Sequence, residues 1–141
     1  MTAWLLKTEP SEFSFDDLVR RGVEPWDGVT NPTALRNLAQ AEVGEPCVIY
    51  HTGAERQAVG LGSVARAAYP DPKARDPKRV VIDVKAATRL EEPVRLETLR
   101  RNPVFADSPL VRQGRLSVVP LTDLQYATIL ELGGSQAGAG K

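Results

Sequence analysis

The chain has 141 residues, 42% of them apolar and 26% charged, and its 18 basic residues balance its 18 acidic ones. This length and composition are typical of one globular domain with a single hydrophobic core, and they exclude global disorder. Zero net charge excludes an overall field that would draw the chain to nucleic acid or membrane, so a polyanion partner must be held by a local patch or a pocket.

Cysteine and histidine are each present only once, as Cys47 and His51. One cysteine cannot form an intramolecular disulfide, and we expect no metal site and no cofactor. The apolar run Ala3 to Leu6 ends at Lys7 and is too short for a signal peptide, and no later stretch approaches the length of a membrane span. We therefore expect a cytoplasmic protein with no membrane partner.

The first forty residues predict one strand and two short helices. "TAWLLKT" carries apolar residues on both faces, which is typical of a central strand. Ser14 and Asp17 have the spacing of a capping box, which predicts a helix over "FDDLVRRG" that ends at Gly22. Asn31 as an N-cap and Pro32 at the first helical position predict a second helix, "PTALRNLAQA".

The middle of the chain predicts three long strands. "PCVIYHT" is rich in β-forming residues, "RQAVGLGSVARAAYP" follows it after a short turn, and "RVVIDVKAATRL" comes after the polar loop "PDPKARDPK". Gly60 and Gly62 lie on one face of the second of these strands. Paired glycines on one face mark a sharp bend or the close approach of another backbone or a ligand.

The last third predicts a short helix around "LETLRRN", an irregular segment "PVFADSPLVRQG", a strand "RLSVVP" and a closing helix "TDLQYATILELG". Thr122 is the expected N-cap of the closing helix. Four side chains of this helix are expected to contact the core: Leu124, Ile129, Leu130 and Leu132. The small residues of "GGSQAGAGK" predict a flexible tail over residues 134–141, which leaves residues 1–133 as the single domain.

Taken together, these elements predict an α+β fold. The strands and helices lack the regular spacing of a doubly wound parallel sheet. A small mixed β-barrel with short helices packed around it accommodates the long strands better. Barrel closure needs bends in the strands, and the two glycines permit them.

Five segments, "WLLKTEPSEFSFDDL", "WDGVTNP", "VIYHT", "YPDP" and "RLSVVPLT", occur in the order and spacing of the EVE domain. This domain is a member of the PUA-like superfamily and is related to the YTH and ASCH domains. The resemblance runs from Trp4 to Leu132. It implies a PUA-like pseudo-barrel and a non-enzymatic module that binds a modified nucleobase, above all a modified cytosine, in DNA or RNA.

The resemblance also implies that the base is flipped out of its strand and held in an aromatic pocket. Trp26, in "WDGV", matches the family's pocket tryptophan, whose ring would stack on the flat base. The other residues at or beside the implied pocket are Gly28, Val29, Asn31, Tyr50, His51, Thr52, Arg115, Leu116 and Ser117. Structural roles stay open beside these, because Trp26 can fill the core, His51 can be a buried structural histidine, and Asn31 caps a helix without any ligand.

The sequence departs from the family pattern directly after the tryptophan segment. Relatives carry arginine, tyrosine, glutamine, arginine and asparagine at the positions occupied here by Thr30, Pro32, Thr33, Leu35 and Arg36. These changes remove cationic and amide groups near the implied pocket mouth. They leave the expected fold intact and leave the identity of the base open.

Four basic residues of the loop "PDPKARDPK" are the candidate phosphate contacts: Lys73, Arg75, Lys78 and Arg79. They supply the local patch that a chain of zero net charge needs in order to hold a polyanion. We expect a monomer whose partner is a nucleic acid that carries a modified base.

The alternative function is an enzyme. Lys7, Thr8 and Glu9 follow one another at the end of the first strand, and in the related ASCH fold a lysine, a threonine and a glutamate resemble an amidohydrolase set that acts on an acylated cytidine. A lysine of lowered pKa could activate the hydroxyl, and the carboxylate could move a proton. Because side chains alternate along a strand, we expect Thr8 to point away from Lys7 and Glu9, which favours binding over catalysis.

Overall fold

The computed structural model describes residues 2–134, which contain six β-strands and five α-helices. Of the predicted tail, residues 134–141, all but Gly134 lie outside the described residues, and so does Met1. The strands are β1 (Ala3–Thr8), β2 (Val23–Pro25), β3 (Pro46–His51), β4 (Gln57–Pro70), β5 (Val80–Arg95) and β6 (Val118–Leu121). The helices are α1 (Phe15–Arg21), α2 (Pro32–Gln40), α3 (Leu96–Arg101), α4 (Pro109–Arg112) and α5 (Asp123–Leu132), with a 3₁₀-helix at Pro103–Phe105.

The strands form one mixed sheet in the order β2-β5-β4-β3-β1-β6. β1 pairs in parallel with β3 and antiparallel with β6, so the prediction that it is a central strand is confirmed. The α+β class is confirmed as well. The expectation of a closed barrel is wrong, because β2 and β6 end the strand order and do not pair with each other in residues 2–134. The sheet curves through register shifts between β4 and β5 without joining its edges.

At Gly60 and Gly62, other parts of the chain lie directly against the backbone of β4. A Cβ atom on Gly60 would lie 2.4 Å from a ring carbon of Phe15, and one on Gly62 would lie 2.5 Å from the carbonyl oxygen of Lys85 on β5. Both glycines adjoin register shifts of the β4–β5 pair. The predicted close approach is therefore confirmed, by a buried ring in one case and a backbone in the other.

Side chains at the helix starts set the positions of three helices around the sheet. Ser14 and Asp17 form the predicted capping box of α1, and the Asn31 side chain accepts the backbone N–H of Ala34 at the start of α2. Thr122 caps α5 in a second capping box, with Gln125. These caps satisfy backbone donors that the first helical turn leaves without partners, so each helix begins where the sequence predicts.

The core contacts predicted for α5 are half right. Ile129 and Leu130 are buried, but Leu124 is 63% exposed and Leu132 is 39% exposed. The inward position is taken instead by Gln125, whose side chain bonds to the backbone of Thr122 and donates to the carbonyl of Val104. A buried amide that meets its hydrogen bonds can occupy a place that hydrophobicity alone assigns to leucine.

Candidate functional site

A backbone turn fixes Trp26 at the end of β2. The Trp26 N–H donates to the carbonyl of Ile82 at 2.7 Å, and Gly28 then takes a φ of +79°, a conformation that glycine adopts without a Cβ penalty. The indole ring is only 6% exposed and stands edge-to-face on Phe13, with centroids 6.0 Å apart. The backbone bond to Ile82 and the ring contact with Phe13 therefore hold the tryptophan in place.

The Trp26 ring also lines a cavity of about 310 Å³, here called the Trp26 cavity. This volume falls at the lower end of small-ligand sites. The walls combine aromatic, charged and hydroxyl groups: Lys7, Thr8, Glu12, Phe13, Glu24, Pro25, Trp26 and Asp27. Trp26 thus belongs to the hydrophobic core and also to the wall of a cavity, and its stacking on a base stays a prediction.

Lys7, in the wall of the Trp26 cavity, contacts residues outside that wall. Its ammonium donates to the carbonyl of Gly114 at 2.9 Å and lies 5.6 Å from the centroid of the Tyr50 ring. Burial lowers the pKa of this lysine from its usual value. Its backbone N–H donates to the carbonyl of Ser117. Lys7 therefore contacts two of the predicted pocket residues, although sequence reasoning assigned it only to the enzyme alternative.

Three predicted pocket residues lie together in a neighbouring cavity of about 250 Å³. Asn31, Arg115 and Leu116 line it, and so does Gly114, which accepts the hydrogen bond from Lys7. The two cavities thus meet at the contact between Lys7 and Gly114. The structure brings these residues within one region of the surface; their role in base binding stays a prediction.

Tyr50, His51 and Thr52, at and just beyond the end of β3, do not line the Trp26 cavity. Tyr50 is buried, and burial raises the pKa of its hydroxyl. The Thr52 N–H donates to the carbonyl of Thr8, which ties this segment to β1. Gly28 is exposed and Val29 packs partly against the core. The structure therefore places these predicted residues around the cavity rather than in its wall.

His51 has protein partners on both ring nitrogens. Nε2 accepts the backbone N–H of Phe15 at 3.0 Å, and Nδ1 lies 2.9 Å from a carboxylate oxygen of Glu55. Because Nε2 accepts, the neutral ring carries its proton on Nδ1 and donates it to Glu55. This arrangement anchors the start of α1 to the end of β3, as expected of a structural histidine.

We expect His51→Ala to lower the free energy of unfolding by about 1–3 kcal/mol, because the buried N–H of Phe15 loses its acceptor. Nucleobase affinity should stay unchanged. His51→Gln, whose amide oxygen can reach the same N–H, should recover part of the loss. Urea unfolding and ligand titration of both variants measure these effects, and a binding defect without a loss of stability would instead make His51 a ligand contact.

The basic loop between β4 and β5 borders two cavities. Lys73 lies 3.9 Å from Asp27 at the Trp26 cavity. Lys78 and Arg79 line a third cavity, of about 520 Å³. Four of the residues that depart from the family pattern line this third cavity too: Thr30, Pro32, Leu35 and Arg36. The departures therefore lie beside the basic loop, next to the turn that carries Trp26.

The residues of the enzyme alternative are only partly assembled. Lys7 and Thr8 both line the Trp26 cavity, whereas the expected separation of their side chains by strand alternation stays a prediction. The Thr8 hydroxyl donates to the carbonyl of Phe13 at 2.6 Å, whereas the Glu9 carboxylate accepts the N–H of Ser11 outside the cavity wall.

Phe13 is one of the wall residues that sequence reasoning missed, and the others are Glu12, Glu24, Pro25 and Asp27. It stands directly before Ser14, the N-cap of α1, where an apolar side chain often fixes the entry of the chain into a helix. This position before the N-cap could therefore have predicted that the Phe13 ring is held in place. Within residues 2–134, no group of three histidine, cysteine or carboxylate side chains could hold a metal ion, and no helix is long and apolar enough to cross a membrane.

Solved structures resemble this fold closely. A protein of Agrobacterium tumefaciens is 31% identical, with a TM-score of 0.92 over 96% of this chain and 94% of that chain. Human THYN1 protein, solved in complex with DNA that contains 5-methylcytosine, is 25% identical, with a TM-score of 0.85 over 94% of this chain and 98% of that one. These likenesses confirm the predicted PUA-like fold.

A more distant structure, ASCH from Zymomonas mobilis, is 13% identical with a TM-score of 0.56 over 92% of this chain and 94% of that one, and it shows similarity of fold alone. Comparison with curated protein sequences finds no match. The sequence pattern of the EVE domain matches residues 2–132, which includes the whole span from Trp4 to Leu132 over which the sequence segments resemble that family. The chain belongs to the EVE domain family.

Proposed function

We propose that this protein is a non-enzymatic binding module for a modified nucleobase, a modified cytosine, in DNA or RNA. The base would be flipped out of its strand and would enter the Trp26 cavity. The observation that carries this proposal is the rigidly held Trp26 ring in the wall of a cavity of about 310 Å³. The complex of human THYN1 protein with 5-methylcytosine DNA supports the same ligand class.

The charges of the cavity favour cytosine over thymine or uracil. Glu12, Glu24 and Asp27 line it, and Lys7 is its one cation. Cytosine presents an amino donor at the position where thymine presents a carbonyl acceptor. A carboxylate can accept from the amino group but would repel the carbonyl, so the acidic wall suits an amino-bearing base. Glu24 is held in place by Arg21, at 3.5 Å.

The aromatic surface would supply the rest of the affinity. Stacking of a base on an aromatic side chain is worth roughly 1–3 kcal/mol, whereas extruding a base from a duplex costs a few kcal/mol. The edge contacts must therefore add to the stack before binding becomes favourable. The basic loop at Lys73, Arg75, Lys78 and Arg79 would add phosphate contacts at the mouth of the cavity, next to Asp27.

A panel of free nucleosides in a thermal-shift assay tests this proposal. Cytidine, 5-methylcytidine and other modified cytidines should raise the melting temperature more than uridine and thymidine do. Asp27→Asn and Glu24→Gln should reduce that difference. Equal shifts for all nucleosides, or none with any of them, would argue against a cytosine-reading cavity.

The second candidate function is an amidohydrolase acting on an acylated cytidine. Two observations favour it. Lys7 and Thr8 line the same cavity, and burial lowers the pKa of Lys7, which is the direction that a general base needs. Against it, the Thr8 hydroxyl is held by the carbonyl of Phe13, and the Glu9 carboxylate is bound to Ser11.

We expect no turnover of N4-acetylcytidine, because the threonine and the glutamate are engaged elsewhere. Incubation followed by chromatography for free cytidine measures this directly. Lys7→Ala is the matched control, because it removes the only cation in the wall of the Trp26 cavity. Cytidine that forms with the unaltered protein and disappears with Lys7→Ala would establish the enzyme instead.

A further inference from the structure

A cavity of about 330 Å³ lies where β4 begins and β5 ends, and it shares no lining residue with the Trp26 cavity. The loop after β3, the last residue of β5 and the first turns of α3 form its walls. Its polar lining residues are Glu55, Arg56, Arg95, Glu97, Thr98 and Arg100. It is called the arginine cavity below.

The three arginines of this cavity form no ion pair with any carboxylate in residues 2–134, although Arg20, Arg21, Arg89 and Arg112 elsewhere do. Glu55, on the same wall, is engaged by the His51 ring and by the Gln57 amide at 2.9 and 3.3 Å. Glu97 is the other carboxylate of the lining. Three guanidinium groups face two carboxylates, so the cavity keeps an excess of positive charge.

The backbone holds Arg56 at the cavity in an uncommon conformation. Its φ is +47°, and it is the only non-glycine residue with a positive φ in the described part of the chain. Residues other than glycine rarely adopt a positive φ. The N–H of Leu96, the first residue of α3, donates to the Arg56 carbonyl at 3.0 Å and ties the turn to the helix. The Arg56 backbone is thus fixed beside the start of α3.

The strand register sets the distance between the arginine cavity and the Trp26 cavity. Thr8, in the wall of the Trp26 cavity, pairs with His51, His51 pairs with Gln57, and Gln57 pairs with Arg95. Neighbouring strands lie about 4.8 Å apart, so Thr8 and Arg95 are separated by roughly 14 Å across the sheet. A strand whose base occupies the Trp26 cavity would therefore carry a nearby phosphate toward these arginines.

We propose that the arginine cavity binds a phosphate group of the nucleic-acid backbone that carries the recognised base. Guanidinium groups match the geometry of phosphate oxygens and bind them in bidentate fashion. The proposal rests on the proposed function for the origin of the phosphate. Arg56, Arg95 and Arg100 would then bind the nucleic-acid backbone in addition to the β4–β5 loop.

Two neighbouring arginines of α3 provide a matched pair of variants. Arg100 lines the cavity and Arg101 does not, and both are exposed, so R100Q and R101Q remove the same charge from adjacent positions. R95Q is the second test variant. Two single-stranded probes of equal length are titrated over a salt series: an oligonucleotide with one 5-methylcytosine, and an abasic deoxyribose-phosphate oligomer. Circular dichroism melting shows that the variants are folded.

We expect R100Q and R95Q each to reduce the slope of log affinity against log salt by about 0.7, the value for one phosphate contact to a single strand, with both probes. R101Q should leave the slope unchanged. Loss of Trp26 should weaken only the probe that carries a base, so failure of the base proposal and of the phosphate proposal give different results.

Three outcomes would overturn the assignment. Equal effects of R100Q and R101Q would mean a general effect of charge. Failure of the unaltered protein to bind the abasic oligomer would remove the phosphate site. Inorganic phosphate that binds as tightly as the oligomer, and loses affinity in R100Q, would make the ligand a free anion instead of the backbone.

Discussion

Trp26→Ala is expected to weaken binding of a modified cytosine by roughly 1–3 kcal/mol, which is the contribution of one base stacked on an aromatic ring. The ring lines the Trp26 cavity and is held by Phe13 and by the bond from its backbone to Ile82. Trp26→Phe, which keeps an aromatic face, should retain most of the affinity. Trp26→Leu, which fills the space without a π-surface, should lose it.

The other tryptophan supplies the control. Trp4 is buried in β1, and its indole N–H donates to the Glu45 carboxylate at 2.8 Å, away from the cavity. Trp4→Phe should lower the melting temperature and leave the dissociation constant unchanged. Isothermal titration of folded protein, with melting curves measured separately, distinguishes the two tryptophans. If Trp26→Leu binds as tightly as the unaltered protein, the ring is only core filling.

Gly62→Ala is expected to lower the free energy of unfolding by about 1–3 kcal/mol, the usual cost of forcing an extra methyl group into a packed site. The added Cβ would lie 2.5 Å from the carbonyl oxygen of Lys85, a backbone atom that cannot move without disturbing the β4–β5 pair. Gly114→Ala is the control, because its Cβ would meet no atom within 4 Å.

Urea unfolding of the two alanine variants measures this difference. The Gly114 variant should stay within about 0.5 kcal/mol of the unaltered protein, as surface substitutions usually do. Equal stability of both variants would show that β4 and β5 are less closely packed at Gly62 than the structure has them.

Local signals predicted much of the fold. The caps at Ser14, Asn31 and Thr122 depend on residues one turn apart, so they can be read directly from the sequence. β2 was missed because its three residues have no periodicity of their own and are fixed by pairing with β5, about sixty residues away. The openness of the sheet was missed for the same reason, since pairing of edge strands is a long-range property.

The candidate site was predictable in part. Trp26 was found because its segment "WDGV" resembles that of the family, and the structure places this residue in the wall of a cavity. The inward position of Lys7 depends on Gly114, and the structural bonds of His51 depend on Phe15 and Glu55. These partners are distant in sequence or lie across a turn, so residue type alone could not assign the two side chains.

Recognition of a modified cytosine by the Trp26 cavity is the proposed function. Its most direct test is the ratio of affinities of the unaltered protein for two duplexes that differ only in one base, 5-methylcytosine or cytosine, at one salt concentration. A pocket reader should bind the methylated duplex more tightly, and Trp26→Leu should remove the preference. Equal affinity for both duplexes, and for a panel of other cytosine modifications in the same position, would contradict this function.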